Sequence, residues 1–262
     1  MAVPVRKLRL DFGNLPLIEA AVRASFHGSV PLSYDIVNLV ADRLKPTFPQ
    51  LAEPKQIEIA PGAGPSPAEF GPAFLPGAVY SGHVAGLTLS LHPQVIVSRW
   101  VKQFGRGERY PRYPALRDAL WSAVEAFREA SGDKYPGTAI VNMSYVNFLP
   151  SSDAESVLKT YFSDQVQVGA MGSARRVRKL EASWSESDDL DVRFAIEQVT
   201  ARLADSVTEG YRLTTAAGLR LAESLDAKSA LEKIHEVLQE FFLVLINDHA
   251  KKEWQLNQVP ND

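Results

Sequence analysis

The chain has 262 residues, of which 45% are hydrophobic, and a formal net charge of -3. This length admits one large domain or two intimate ones, and the charge predicts no global attraction to nucleic acid or to an anionic membrane. Because the chain has no cysteine, disulfides, thiolate nucleophiles and cysteine-based metal sites are excluded. The longest strongly apolar stretch, residues 241–246, is far shorter than the ~20 residues of a membrane-spanning helix. We therefore expect a soluble, cytoplasmic protein without a cofactor.

The first elements follow from apolar alternation and from residues typical of helix ends. Residues 17–26 alternate in part and are predicted as a strand, although Glu19 and the two alanines after it would also suit a helix. Ser33 is a residue type that caps helices, and Pro46 ends the helix predicted after it. Residues 55–60 are predicted as a short strand, and the proline- and glycine-rich residues 61–77 as a long surface loop.

Residues 84–101 are predicted to form a hairpin. Apolar and polar residues alternate over 84–91, and a second strand is predicted over 95–101. A helix is then expected over about residues 114–130, because Pro114 suits the first helical position and Gly132 suits the end of a helix.

The second half repeats this order of elements. Strands are predicted over residues 138–149, 175–185, 190–198 and about 209–216. Ser152 and Glu155 form a capping-box pattern that opens a short helix. Ser229 is the candidate cap of a long helix over about residues 228–253.

Each half thus contains a strand, a helix, about three strands and a long helix, which predicts the α+β class. We expect two similar halves, residues 1–132 and 133–262, or one intimate domain with the same order of elements. Their strands are expected to join into a curved antiparallel sheet with the long helices on one face.

The last predicted helix is apolar on two sides. Leu231, Ile234 and Leu238 belong to a core stripe, whereas Phe242, Val244 and Ile246 add a second apolar face. A helix with two apolar faces is usually buried twice. The second face therefore predicts contact with the other half of the chain or with another subunit, and these three residues are candidate interface residues.

Several short motifs resemble those of one protein family. The motifs are Leu15–Ala20, Ser98–Trp100, a Tyr110-Pro111 or Tyr113-Pro114 step into a helix that contains Trp121, Val141–Asn147, and Ile246–Trp254. Together they resemble a sporadically distributed, uncharacterised prokaryotic family of about this length, in which arginine often stands at the position of Ser144. The resemblance implies a prokaryotic cytoplasmic protein and suggests mobile or defence-associated genes, and it transfers no catalytic residue.

Residues 99–113 combine basic and aromatic side chains. The basic residues are Arg99, Lys102, Arg106, Arg109 and Arg112, and the aromatic ones are Trp100, Phe104, Tyr110 and Tyr113. Guanidinium groups bind phosphates and flat rings stack on bases, so the segment would suit single-stranded nucleic acid. The favoured alternative is a connection whose aromatic rings are core and whose arginines pair with carboxylates.

The other candidate residues give weaker indications. Strand alternation would split the basic residues of Arg175–Lys179 between two faces. His249 and Glu253 share a helix face by their spacing, which more often marks a solvated pair than a metal site. Ser90 and His92 lack the other parts of a nucleophilic triad. Glu19 is a structural carboxylate or, as the less favoured alternative, a buried general base.

The sequence therefore favours a non-catalytic scaffold that binds a protein partner or a second copy of itself. The first alternative is a nucleic-acid-binding or RNA-processing protein that uses residues 99–113. The second is an enzyme or small-molecule binder that works from the concave face of the sheet.

Overall fold

The structure is a computed structural model that describes residues 8–12, 14–52, 77–103, 110–151, 153–163, 179–203, 206–222 and 226–260. The predicted strand over 55–60 and nearly all of the predicted loop over 61–77 lie outside these ranges. So do Arg106, Arg109 and residues 175–178.

The described residues form helices and mainly antiparallel strands. The strands are β1 (Leu8–Phe12), β2 (Leu17–Phe26), β3 (Gln50–Ala52), β4 (Ala78–Ser81), β5 (Leu87–His92), β6 (Val95–Val101), β7 (Thr138–Pro150), β8 (Lys179–Ser187), β9 (Leu190–Leu203), β10 (Ser206–Arg220) and β11 (Leu256–Pro260). The helices are α1 (Tyr34–Leu44), α2 (Tyr113–Ser131), α3 (Ala154–Tyr161), α4 (Ala227–Leu245) and α5 (Asp248–Glu253). The predicted α+β class is confirmed.

Nine strands form one antiparallel sheet in the order β3-β4-β5-β6-β2-β7-β10-β9-β8, and β1 pairs with β11 in a separate two-stranded sheet. The long strands β2 and β7 lie side by side, with Ala20 opposite Tyr145 and Val22 opposite Met143. The first and second parts of the chain therefore share one continuous sheet.

Burial alternates along the central strands. Ala20, Val22 and Ala24 of β2 are fully buried, whereas Ala21 and Arg23 between them reach solvent. Successive side chains of a strand point to opposite sides, and α2 contacts β2 and β6 while α4 contacts β7 and β10. We call the solvent-reaching side of the sheet, which carries Ala21 and Arg23, the outer face.

Side-chain hydrogen bonds and a glycine mark the ends of the helices. The Ile36 amide donates to the Ser33 hydroxyl at 3.3 Å, so Ser33 caps α1 as predicted. Gly132 follows α2 with φ +53°, a conformation that glycine adopts readily. The cap of α4 is Asp226 and not the predicted Ser229, whose amide donates to the Asp226 carboxylate at 2.9 Å.

The prediction of one helix over residues 228–253 is wrong. Helix α4 ends at Leu245, Ile246 is extended, and α5 begins after Asn247. The Asn247 side chain accepts a hydrogen bond from the Ala250 amide at 2.9 Å and donates to the Thr160 carbonyl at 2.9 Å. An asparagine that bonds nearby backbone groups competes with helix continuation, which explains the break.

Two buried clusters lie among the described residues. The larger one contains buried residues of the sheet together with residues of α1, α2 and the first part of α4. The second contains Phe162, Phe242, Ile246 and Trp254, and it gathers residues of α3, α4 and α5 with residues of β7, β9 and β10. None of the helices that the structure describes is long and apolar enough to cross a membrane.

Candidate binding surface

The outer face carries rows of side chains that run across the strands. One row reads Thr88, Arg99, Ala21, Ser144, Ala216, Arg193 and Ser183, on β5, β6, β2, β7, β10, β9 and β8. Directly opposite residues on paired strands lie side by side on the same face. The row therefore crosses the joint between the two parts of the chain without interruption.

The neighbouring row reads Ser90, Val97, Arg23, Asn142, Gly218, Asp191 and Ser185. The centre of this row has room only for small side chains, because a Cβ atom on Gly218 would lie 2.4 Å from Asn142 Oδ1. Glycine at this position thus leaves room for the Asn142 amide. With Ala21, Ser144 and Ala216 in the adjacent row, the middle of the outer face has a floor of small side chains.

Most charges on the outer face are paired within the chain. Arg99 donates two hydrogen bonds to the Glu19 carboxylate, at 2.8 and 2.7 Å. The remaining pairs are Arg193 with Glu181 at 2.7 Å, Lys179 with Glu181 at 2.6 Å, Arg220 with Asp191 at 3.5 Å, and Arg212 with Glu197. Exposed pairs stabilise the fold little, but they balance positive with negative charge over the surface.

Arg23 differs from these arginines. Within the described part of the chain its guanidinium has no carboxylate partner, and its Nε donates to the Ser25 hydroxyl at 3.1 Å. It stands opposite Val97 on β6 and Asn142 on β7. Partial desolvation lowers the pKa of the Arg23 guanidinium. An unpaired, partly desolvated cation therefore lies near the middle of an otherwise balanced face.

The basic side chains of residues 99–113 are not gathered on one described surface. Arg99 lies on the outer face and pairs with Glu19, as the favoured alternative expected. The Lys102 amide donates to the Ile18 carbonyl at 2.8 Å, just beyond β6. Arg112 stands at the start of α2 with φ +73°. Arg106 and Arg109 fall in a range that the structure does not describe.

Of the aromatic side chains of this segment that the structure describes, Trp100 and Tyr113 are buried and Tyr110 is partly buried. Trp100 is 2% and Tyr113 5% exposed, and the ring centroids of Tyr110 and Trp100 are 5.3 Å apart. The Tyr113 ring stacks on His235 at 3.8 Å, and its hydroxyl donates to Glu232 at 3.0 Å. Burial raises the pKa values of Tyr110 and Tyr113. These rings join the sheet to α4 and are not positioned to stack on bases.

The candidate interface residues at the end of α4 lie in different environments. Phe242 and Ile246 are buried within the chain, where Phe242 stacks on Trp254 with centroids 6.0 Å apart and Ile246 forms a β-bridge with Phe162. Val244 is 55% exposed. The second apolar face of the helix is thus covered mainly by α3, α5 and Trp254 of the same chain.

The remaining candidates are histidines at two separate places in the chain. His249 Nε2 lies 3.1 Å from the Glu253 carboxylate on the exposed side of α5. No group of three or more potential metal-ligating side chains occurs among the described residues. His92 is 5% exposed, and its ring lies against Gly77.

The sequence analysis missed Arg23, Asn142 and Ser144 as members of one surface. Alternation within residues 17–26 does place Arg23 on the same side as Glu19 and Ala21. The register between β2 and β7 brings Asn142 opposite Arg23, and no local sequence signal specifies that register.

The chain matches no protein-family model and no curated protein sequence. Its functional assignment therefore rests on the geometry of the outer face.

Proposed function

We propose that the protein is a non-catalytic interaction scaffold whose protein partner docks on the outer face of the sheet. The scaffold consists of two similar halves, residues 1–132 and 133–262, with the long helices on the opposite side of the sheet. The partner covers the small-residue floor at the joint of the two halves.

The order of the strands supports the duplication. From the centre outwards, the first half contributes β2, β6, β5, β4 and β3 to the nine-stranded sheet, and the second contributes β7, β10, β9 and β8. Within this sheet, the first strand of each half is central, its last strand lies next to that one, and the preceding strands follow in reverse order. In each half one helix follows the central strand, and a longer one follows the strand that lies next to it in the sheet.

The observation that carries the proposal is the balanced charge of a face that crosses both halves. Arg99 with Glu19 and Arg193 with Glu181 flank the floor of Ala21, Ser144 and Ala216. A nucleic acid requires a net positive surface to replace its counterions. A surface that binds a protein instead combines a polar rim with a less charged core, and on the outer face the ion pairs lie on both sides of the small-residue floor.

The test is a bulky substitution at the floor with a matched control elsewhere. Ser144→Trp places an indole on the outer face, and Ser156→Trp places the same ring on the exposed side of α3. Tagged wild type and both variants are used to capture partners from the native host after nuclease treatment, with circular dichroism to verify folding. We expect a stoichiometric protein to be retained by wild type and Ser156→Trp and lost by Ser144→Trp.

Two results would contradict the proposal. The first is equal retention of the partner by Ser144→Trp and by wild type. The second is a partner fraction that disappears on nuclease treatment, together with co-purified RNA or DNA, which would favour nucleic-acid binding.

A further inference from the structure

We infer that Arg23 binds a carboxylate of the protein partner and that the Asn142 amide beside it is a second hydrogen-bond donor. This inference rests on the proposed function and specifies the chemistry of the partner at one point of the outer face.

The first support is the difference between Arg23 and its neighbours. Each other arginine on the described outer face lies within 4 Å of a carboxylate of this chain, whereas Arg23 bonds only the Ser25 hydroxyl. That bond uses Nε, so the two terminal nitrogens have no partner among the described residues. A guanidinium with free terminal nitrogens can donate two parallel hydrogen bonds to one carboxylate.

The second support is the set of residues around Arg23. Asn142 stands directly opposite on β7, at the distance of paired side chains in antiparallel strands. Its amide oxygen is the atom nearest to the unoccupied Cβ position of Gly218, and no described residue accepts a hydrogen bond from its nitrogen. Val97 on β6 closes the other side with an apolar group. An oxyanion at Arg23 would thus meet donors on one side and an apolar wall on the other.

The third support concerns the kind of anion. Glu19 lies on the same strand four residues before Arg23, and Asp191 lies three strands away in the same row. A nucleic-acid backbone that followed the sheet would bring further phosphates close to these carboxylates, at an electrostatic cost. A single carboxylate at the tip of an aspartate or glutamate side chain meets only Arg23.

The first experiment compares the reactivity of individual arginines in the intact protein. A dicarbonyl reagent that modifies guanidinium groups is applied, and the rate at each arginine is read by peptide mass spectrometry. We expect Arg23 to react several-fold faster than the paired Arg212. A pentaglutamate peptide should slow the reaction at Arg23, and a pentaglutamine peptide should leave it unchanged.

Two results of this experiment would contradict the inference. Equal rates at Arg23 and Arg212 would show that Arg23 is not distinct and would overturn the inference. Protection by inorganic phosphate or by an oligouridylate, without protection by pentaglutamate, would overturn the assignment of a carboxylate.

The second experiment separates this inference from the proposed function. Partner retention is measured for Arg23→Gln, Arg23→Lys and the control Arg212→Gln, which removes a paired arginine from the same face. We expect Arg23→Gln to lower the affinity roughly tenfold or more and the control to change it little. Arg23→Lys should lower the affinity less than Arg23→Gln, because lysine keeps the charge but cannot donate two parallel hydrogen bonds from one planar group. If Ser144→Trp abolishes retention and Arg23→Gln does not, only the role of Arg23 fails. If neither variant affects retention, the proposed function fails as well.

Discussion

The two sides of the central strands differ in burial and in residue type. On β7, Val141 and Met143 are buried, whereas Asn142 and Ser144, which alternate with them, reach solvent. The buried side is largely apolar, and its residues belong to the larger buried cluster. The outer face is polar, with small residues at its centre, and contributes little to packing. We conclude that substitutions on one side should change stability and those on the other should change binding.

The largest expected effect applies this contrast to the end of α4. Phe242→Asp and Ile246→Asp should each lower the free energy of unfolding by about 4 kcal/mol or more, because a carboxylate would replace a buried apolar side chain. Urea unfolding followed by circular dichroism measures this change.

Val244→Asp is the matched control at an exposed position. We expect it to change stability by about 0.5 kcal/mol or less. The contrast would break if Phe242→Asp left stability intact and only dissociated an oligomer, since Phe242 would then belong to a subunit interface.

A smaller effect is expected for two adjacent residues of β7. Met143→Ala should destabilise the protein by about 2–5 kcal/mol, because Met143 is 1% exposed and its truncation leaves a cavity. Ser144→Ala should change the free energy of unfolding by about 0.5 kcal/mol or less. Chemical denaturation of both variants sharpens the comparison, and similar losses would mean that the two sides of β7 are equally packed.

The smallest effect concerns the cap of α4 and depends on pH. Hydrogen bonds from the Ser229 amide and hydroxyl lower the pKa of Asp226. The stabilisation is therefore present above the unfolded-state pKa of aspartate and is lost as the pH falls through the lower pKa of the folded state. Asp226→Ala should cost about 1 kcal/mol near neutral pH.

Thermal unfolding between about pH 7 and pH 2 measures the difference between wild type and Asp226→Ala. The difference should shrink below about pH 4, where the unfolded aspartate protonates. A difference that stayed constant down to pH 2 would show that the carboxylate charge does not contribute.

Local patterns predicted the hairpin of β5 and β6 and the helix α2 closely, since these elements depend on alternation and on flanking residues such as Gly132. The same reasoning missed the short strand β4, which lies directly after the proline-rich residues. It also missed the helix break at Ile246, because the hydrogen bond from Asn247 to Thr160 joins distant segments.

The candidate surface was predictable only in part. Strand periodicity places Glu19 and Arg23 on one side of β2, and the pairing of arginines with carboxylates was the favoured expectation for residues 99–113. Which side chains lie next to each other on the outer face depends on the registers of β2, β7 and β10. These registers follow from packing over the whole sheet and are not encoded in any single segment.

The most direct test of the account is hydrogen–deuterium exchange of the protein alone and bound to its captured partner. If the outer face is the docking surface, exchange should slow in peptides from β2, β7 and β10, including residues 17–26 and 138–150, while the exposed side of α4 near Val244 stays unchanged. Protection confined to α4, with no change in the central strands, would contradict the central claim.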